Sequence, residues 1–350
     1  FSAILSHKFN KKFPKLANES ILTHNISKQY TFTFAFLPTF LYICIKHQVV
    51  LMNNILCSII IPYYNVPEEL VNKCLLSIYN QNWEEHCYEV IFVNDGSPLP
   101  VNNSTKDILS KFKKHILIDQ DNGGLSAARN AGMRIANGNY VFFVDPDDYW
   151  FDNKIGDLLP HLLKNDYDII KFQSVHIFDR KDIILPESRL VTAEYSLGCE
   201  YMSNYNIIKG ACTYCYRIEF IKDNNILMPE GIIHEDEWFL TLAFFKAKRC
   251  LFTQIPLYAY IRRDGSIMSI KTEQQWNRSF NDILHVIKLT LSLTADNKLS
   301  TLQTEAINNR LSYLLYAFIY NLISSCLGES QKQHYLSLLQ SINLYPLPKI

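Results

Sequence analysis

The stretch Tyr140-Val-Phe-Phe-Val-Asp-Pro-Asp-Asp-Tyr-Trp150 constrains the fold more than any other part of the chain. Its leading residues are apolar, β-branched or aromatic, with no polar alternation, and such a run reads as a strand covered on both faces, as in a parallel sheet. It ends abruptly in Asp145, Asp147 and Asp148. Carboxylates at the end of a buried strand are costly to desolvate unless a positive charge compensates them. A divalent cation would do so. Oxygen-only ligands suit Mg²⁺ or Mn²⁺, and Mg²⁺ is typically held by one or two carboxylates, with phosphate oxygens completing its shell. The competing reading is a solvated Asp-Pro-Asp turn ahead of a helix, and this stretch alone leaves the two open.

A chain of 350 residues that is 48% hydrophobic can bury one large core or two smaller ones. The expected organisation is an N-terminal segment (1–52) outside the native fold, an α/β catalytic domain (53–270) and a C-terminal helical region (271–350). Residues 1–51 show neither a helical nor a strand period. Thr31 to Ile45 is apolar, yet Pro38 interrupts it and it is shorter than the roughly 20 residues of a membrane span; a membrane-associating element is the alternative. Expression from Met52, the first methionine, tests the point. Zero formal net charge argues against a nucleic-acid binder that relies on a general basic field. Of nine cysteines only Cys212 and Cys215 have a paired spacing. One such pair is a weak zinc signal, and buried thiols in a reducing cytoplasm are the expectation.

From Cys57 the chain alternates strand and helix. Cys57 to Asn65 reads as a strand stopped by Pro62, and a helix follows from about Glu68 to Asn80. A second strand, Tyr88 to Asn94, ends at Asp95-Gly-Ser97, either a turn or a polar recognition point beyond a strand end. A third short strand, His115 to Ile118, leads to Asp121-Asn-Gly-Gly-Leu-Ser-Ala-Ala-Arg-Asn-Ala-Gly132. There two glycines open a helix of small residues, whose N-terminal N–H groups and dipole favour phosphate oxygens. Arg129 falls on that helix, within reach of a carboxylate or phosphate. After the acidic stretch come a helix (Asn153 to Asn165), a long strand (Asp168 to Phe178) and its hairpin partner (Ile183 to Val191). Residues Ala193 to Asn206 are read as helical, Tyr214 to Arg217 as a strand.

A second acidic cluster, Glu235-Asp-Glu237, opens an apolar helix. It reads either as N-terminal capping by acids or as like charges that lift one pKa toward the range of a general base. Two short strands (Cys250 to Ile255 and Leu257 to Ile261) lead to Arg262-Arg-Asp-Gly-Ser-Ile-Met268, where paired arginines could clamp a diphosphate. The C-terminal helices are read as packing on the catalytic domain, with peripheral contact at a membrane surface as the alternative.

In order, Ile59-Ile-Ile-Pro-Tyr-Tyr-Asn65, Val93-Asn-Asp-Gly-Ser97, Asn122 to Gly132, Phe143-Val-Asp-Pro-Asp-Asp-Tyr149, Glu235-Asp236 and the 262–268 loop resemble the motifs of family 2 glycosyltransferases. The resemblance runs from about Cys57 to Ser269. It implies a GT-A fold, a Rossmann-like mixed α/β sheet flanked by helices, here with a C-terminal helical extension. It also implies a nucleotide-diphosphate sugar donor, usually with UDP, an inverting displacement, and a saccharide or lipid-linked saccharide acceptor in bacterial surface-polysaccharide synthesis at the cytoplasmic face of the membrane. Carried over by position, Pro62 and Asn65 border the nucleotide, Asp95 bonds the uracil and Arg129 lies near the base or diphosphate. Asp145 and Asp147 form the Mn²⁺ or Mg²⁺ motif, with Asp147 the direct ligand and Asp145 toward the ribose or sugar. Asp236 is the base, Glu235 supports it, and Arg262 or Arg263 meets the diphosphate. A sugar nucleotidyltransferase and a non-catalytic glycosyltransferase-like binding protein are the rival readings. The first calls for a glycine- and basic-rich loop where Pro62-Tyr-Tyr-Asn65 stands, and the second has no need of either acidic cluster.

Overall fold

The computed structural model describes residues 55–178, 181–186, 192–204, 210–262, 272–295 and 298–344. The expected segment 1–52, Arg263 and the rest of the 263–271 loop lie outside the described residues. Strand and helix alternate through β1 (Cys57–Tyr63), α1 (Glu68–Tyr79), β2 (Tyr88–Asp95), α2 (Asn103–Leu109), β3 (His115–Gln120), α3 (Leu125–Ile135) and β4 (Tyr140–Phe143). Next come β5 (Tyr149–Trp150), α4 (Ile155–Lys164), β6 (Ile169–Phe178), β7 (Lys181–Pro186), β8 (Ala193–Tyr195) and α5 (Gly198–Asn204). They are followed by β9 (Tyr214–Arg217), α6 (Ile218–Asp223), α7 (Glu235–Lys246) and β10 (Cys250–Arg262), and then by α8 (Glu273–Ser292), α9 (Thr301–Ser324) and α10 (Glu329–Ser341).

The strands form one sheet in the order β3-β2-β1-β4-β9-β6-β10-β5, with β7 beside β6 and β8 beside β10. β1 runs parallel to β2 and β4, and β2 to β3, whereas β9 is antiparallel to both β4 and β6. The sheet is therefore mixed, and its parallel half carries the strand–helix repeat. Both β1 and β2 are buried along their whole length, which explains the apolar runs Ile59–Ile61 and Val90–Val93; the buried Ser58 donates to Glu89 Oε1 at 2.6 Å. The small residues of α3 have a packing reason too: a Cβ on Gly132 would stand 2.5 Å from Ile60 Cγ2, so this helix lies directly on β1.

Three local expectations change. Pro62 does not stop β1, which pairs with β2 as far as Tyr63. The β4 ladder ends at Ile60↔Phe143, and Val144 N donates to Ile60 O. Successive residues of a strand face opposite neighbours, so Pro62 turns its missing N–H toward that flank, past the last rung, and no bond is lost. Cys250 to Ile261 is one strand rather than two, with register shifts around Pro256 that relieve the ladder there. Ala193 to Asn206 divides into β8 and α5.

The C-terminal helices pack on the sheet domain. α9 lies against α5 and α7, and α8 against α7 and α9. Phe280 of α8 meets Phe318 of α9 and Tyr335 of α10, each at a centroid distance of 5.1 Å. Among the described residues no helix is long and apolar enough to cross a membrane.

Candidate active site

β4 carries the chain through the core and delivers Asp145 at its C-terminal end, where Asp148 N donates to Asp145 O at 3.0 Å and closes the turn. Asp145 and Asp147 are partly exposed, whereas Asp148 is buried. Both oxygens of Asp148 are engaged, Oδ2 by the Tyr258 hydroxyl and Oδ1 by Ile261 N, each at 2.7 Å. The same hydroxyl accepts from Asp145 N at 3.2 Å. Asp148 thus staples the turn to β10, and burial, reinforced by Asp145, pushes its pKa well above the usual carboxylate range. Among the described residues no three His, Cys, Asp or Glu side chains converge as a metal site. Two partly exposed carboxylates, Asp145 and Asp147, nevertheless fit a hard cation that takes its remaining ligands from water and phosphate oxygens.

Arg129 is 3% exposed and stands between the two acidic clusters. Its Nη2 donates to Asp145 Oδ1 at 2.6 Å and its Nη1 to Glu235 Oε1 at 3.3 Å. Burial alone would lower its pKa, but Asp145 and Glu235 more than offset this, and the guanidinium stays charged. Asn130, its neighbour on α3, brackets Met228, donating to its carbonyl at 2.9 Å and accepting from its N–H at 3.0 Å. The approach to α7 is thereby fixed against α3.

α7 begins at Glu235, after His234 in the left-handed conformation (φ 75°). Burial pushes the Glu235 pKa up to about 7; Arg129 opposes the rise and Asp236 adds to it. Asp236 follows in a partly exposed position. Glu237, the third acid, pairs with Arg310 of α9, which is 1% exposed. Sequence reasoning missed Arg310, although a signal existed: an arginine between Ala306, Ile307, Leu311 and Leu314 interrupts a helical apolar stripe and calls for a buried partner.

On the other flank of Asp145, Asp95 is buried at the end of β2. It accepts from Gln120 Nε2 (2.7 Å), Gly123 N (3.0 Å) and Gly124 N (2.8 Å). Two N–H groups expected to be free for phosphate at the start of α3 are therefore held by a carboxylate of this chain, which suits the positive end of a helix equally well. Asn65 takes a left-handed turn (φ 49°) just after β1, its N–H donating to Ser97 Oγ at 3.0 Å. Pro62 is buried within β1, and Arg262 is exposed at the end of β10, its guanidinium 5.2 Å from the Phe178 ring. Pro62, Asn65, Asp95 and Asp145 occupy the carboxyl edge of the parallel strands, where open α/β sheets bind ligands. Arg129, Glu235 and Asp145 are in direct contact, and Asp236 adjoins them in sequence.

Residues 58–228 match the model of glycosyl transferase family 2. The uncharacterized glycosyltransferase YibD of Escherichia coli (strain K12) is 29% identical over 248 residues, 69% of this chain and 71% of YibD. A poly(ribitol-phosphate) beta-glucosyltransferase of Bacillus spizizenii is 29% identical over 252 residues, 66% of this chain but 36% of that protein. The chain thus spans about a third of this larger relative. In fold it is similar to the crystal structure of Staphylococcus aureus TarS 1–349 in complex with UDP-GlcNAc, with a TM-score of 0.65 and 21% identity over 81% of this chain and 80% of that one. The architecture is that of the GT-A glycosyltransferases.

Proposed function

We propose that the chain transfers a sugar from a UDP-sugar to an acceptor hydroxyl, with inversion at the anomeric carbon, during assembly of a bacterial surface polysaccharide. The acceptor is a saccharide or lipid-linked saccharide met at the cytoplasmic side of the membrane. One observation carries the reading: the Arg129 guanidinium joins Asp145 of the first acidic cluster to Glu235 of the second. A donor-side acid and the neighbour of a base are thereby held by one cation. The UDP-GlcNAc bound in the TarS structure and the poly(ribitol-phosphate) substrate in the Bacillus relative's name support the donor class and a polymeric acceptor.

In this reading Asp236 removes the acceptor proton, a contribution of about 10²–10⁴-fold. Glu235, fixed by Arg129, orients the first turn of α7. Asp95 holds the glycine loop beneath the base, and Pro62 and Asn65 border the nucleotide. Asp147 and Asp145 would hold Mn²⁺ or Mg²⁺, which when bound supplies positive charge against the departing diphosphate. Arg129, with Arg262 or Arg263, adds fixed charge to the same end. The test is transfer or hydrolysis measured with a panel of UDP-, GDP- and dTDP-sugars. Asp236→Asn is expected to abolish turnover while UDP still binds, and Asp147→Ala to lose Mn²⁺-dependent UDP binding. Full turnover in the first variant moves the base elsewhere; unchanged Mn²⁺ dependence in the second removes Asp147 from the metal site.

A further inference from the structure

We propose that Arg310 is a positioning residue for the base: a C-terminal helix, remote in sequence from the acidic cluster, aims Asp236. The inference rests on Asp236 acting as proposed above. Arg310 projects from α9 into α7 and meets three acceptors there. Its Nη2 pairs with the Glu237 carboxylate and donates to the Glu237 carbonyl at 3.2 Å, and its Nε donates to Thr241 Oγ1 at 2.8 Å. The Thr241 hydroxyl donates in turn to the Glu237 carbonyl at 2.5 Å. All of these bonds fall on the residue after Asp236 or one turn beyond it.

The residues before Asp236 are held from α8. Ser279 Oγ lies 2.8 Å from His234 Nε2, and Asp282 Oδ2 accepts from Ile233 N at 2.9 Å. His234 has a φ of 75°, a conformation uncommon for a residue with a Cβ. The backbone on both sides of Asp236 is therefore fixed by side chains of the C-terminal helices. Stability alone is a poor reason for such a charge, because a buried ion pair is often replaceable by apolar residues without loss. What the planar, multidentate fork adds is orientation, and misplacing a catalytic group by an ångström can cost about 10²-fold in rate.

The experiment uses the full chain. Arg310→Lys keeps the charge but loses the fork, and the double variant Arg310→Met/Glu237→Gln removes the ion pair with little change of volume. Turnover, UDP binding by calorimetry in the presence of Mn²⁺, and Tm are measured for each. Both variants are expected to lose about 10- to 100-fold in kcat, with UDP affinity unchanged and with no recovery in the double variant even where its Tm equals that of the parent. Wild-type kcat in either folded variant overturns the proposal, as does a parallel loss of kcat and UDP affinity, which marks a general loosening of the fold. Should Arg310 variants fail to fold, Ser279→Ala and Asp282→Ala must show the same loss confined to kcat; unchanged kcat in both overturns it. Asp236→Asn in the same assay separates the two readings: retained turnover there sinks the base assignment, whereas abolished turnover beside an active Arg310→Lys sinks the positioning role alone.

Discussion

Glu235 sits 13% exposed against Arg129, next to Asp236, and its titration has a measurable consequence. Burial, aided by Asp236, lifts its pKa from the ordinary 4.5 to about 7, so over that interval the folded chain holds a proton that the unfolded chain has released. The stability this contributes is complete below pH 4.5 and is lost as the pH rises through 7. Glu235→Gln cannot ionise and still offers Arg129 an acceptor oxygen. Its Tm relative to the parent is therefore expected to rise between pH 5 and pH 8, by an amount worth roughly 1–3 kcal/mol. Thermal unfolding at the two pH values checks this, and an equal offset at both would assign the pH dependence to other groups. Asp148 and Glu237 show the opposite fate of a clustered acid: each is tied to a distant partner, Tyr258 or Arg310, and serves the shape of its turn.

At the level of elements, the loop between β3 and α3 hangs on a single side chain, Asp95. Asp95 ties Gly123 and Gly124 to the end of β2, while Gly96 (φ 69°) approaches the loop so closely that a Cβ there would stand 2.5 Å from Asn122 N. Asp95→Asn replaces one acceptor oxygen by a donor that faces an N–H or the Gln120 amide. A destabilisation of about 2 kcal/mol is expected even without nucleotide, and chemical denaturation of the ligand-free protein measures it. A residue that only read the base would leave that value unchanged. The strand–helix order was legible from residues 57 to 143 because each buried strand is centred on a run of three or more apolar residues and the connections carry Gly, Pro or Asn. The two acidic clusters were legible as short-range motifs, Asp145 with Asp147 and Glu235 with Asp236; the bonds by which Arg129 joins Asp145 to Glu235 are seen only in the fold. What was not legible is long-range: Tyr258 on Asp148, Asp282 on Ile233 and Arg310 on Glu237 are pairings between segments whose neighbourhood only the folded chain defines. The run-on of β1 through Pro62 was missed for a related reason, since it depends on where β4 stops.

Over the whole molecule, α8 and α9 complete the core rather than append to it. Phe280, Val286 and Ile287 of α8 and Ile307, Leu314 and Phe318 of α9 are buried, and α9 covers α5 and α7. Ending the chain before Glu273 would uncover the apolar surface of both helices and strip the acid turn of Ser279, Asp282 and Arg310. The truncated chain is expected to be insoluble, or to keep far-UV circular dichroism while losing the near-UV signal; a soluble, cooperatively unfolding product would contradict the packing described. The connection between Arg310 and the first turn of α7 also bears on how the protein comes into being. The parallel half is built from neighbours in sequence, so its strands can pair soon after they leave the ribosome. Asp236 is made well before α9, and its turn gains its last fixed partner only once Arg310 has emerged. In the proposed mechanism a nascent chain would therefore acquire the framework proposed for the nucleotide early and an aligned Asp236 late, so that it could hold a donor before it could consume one.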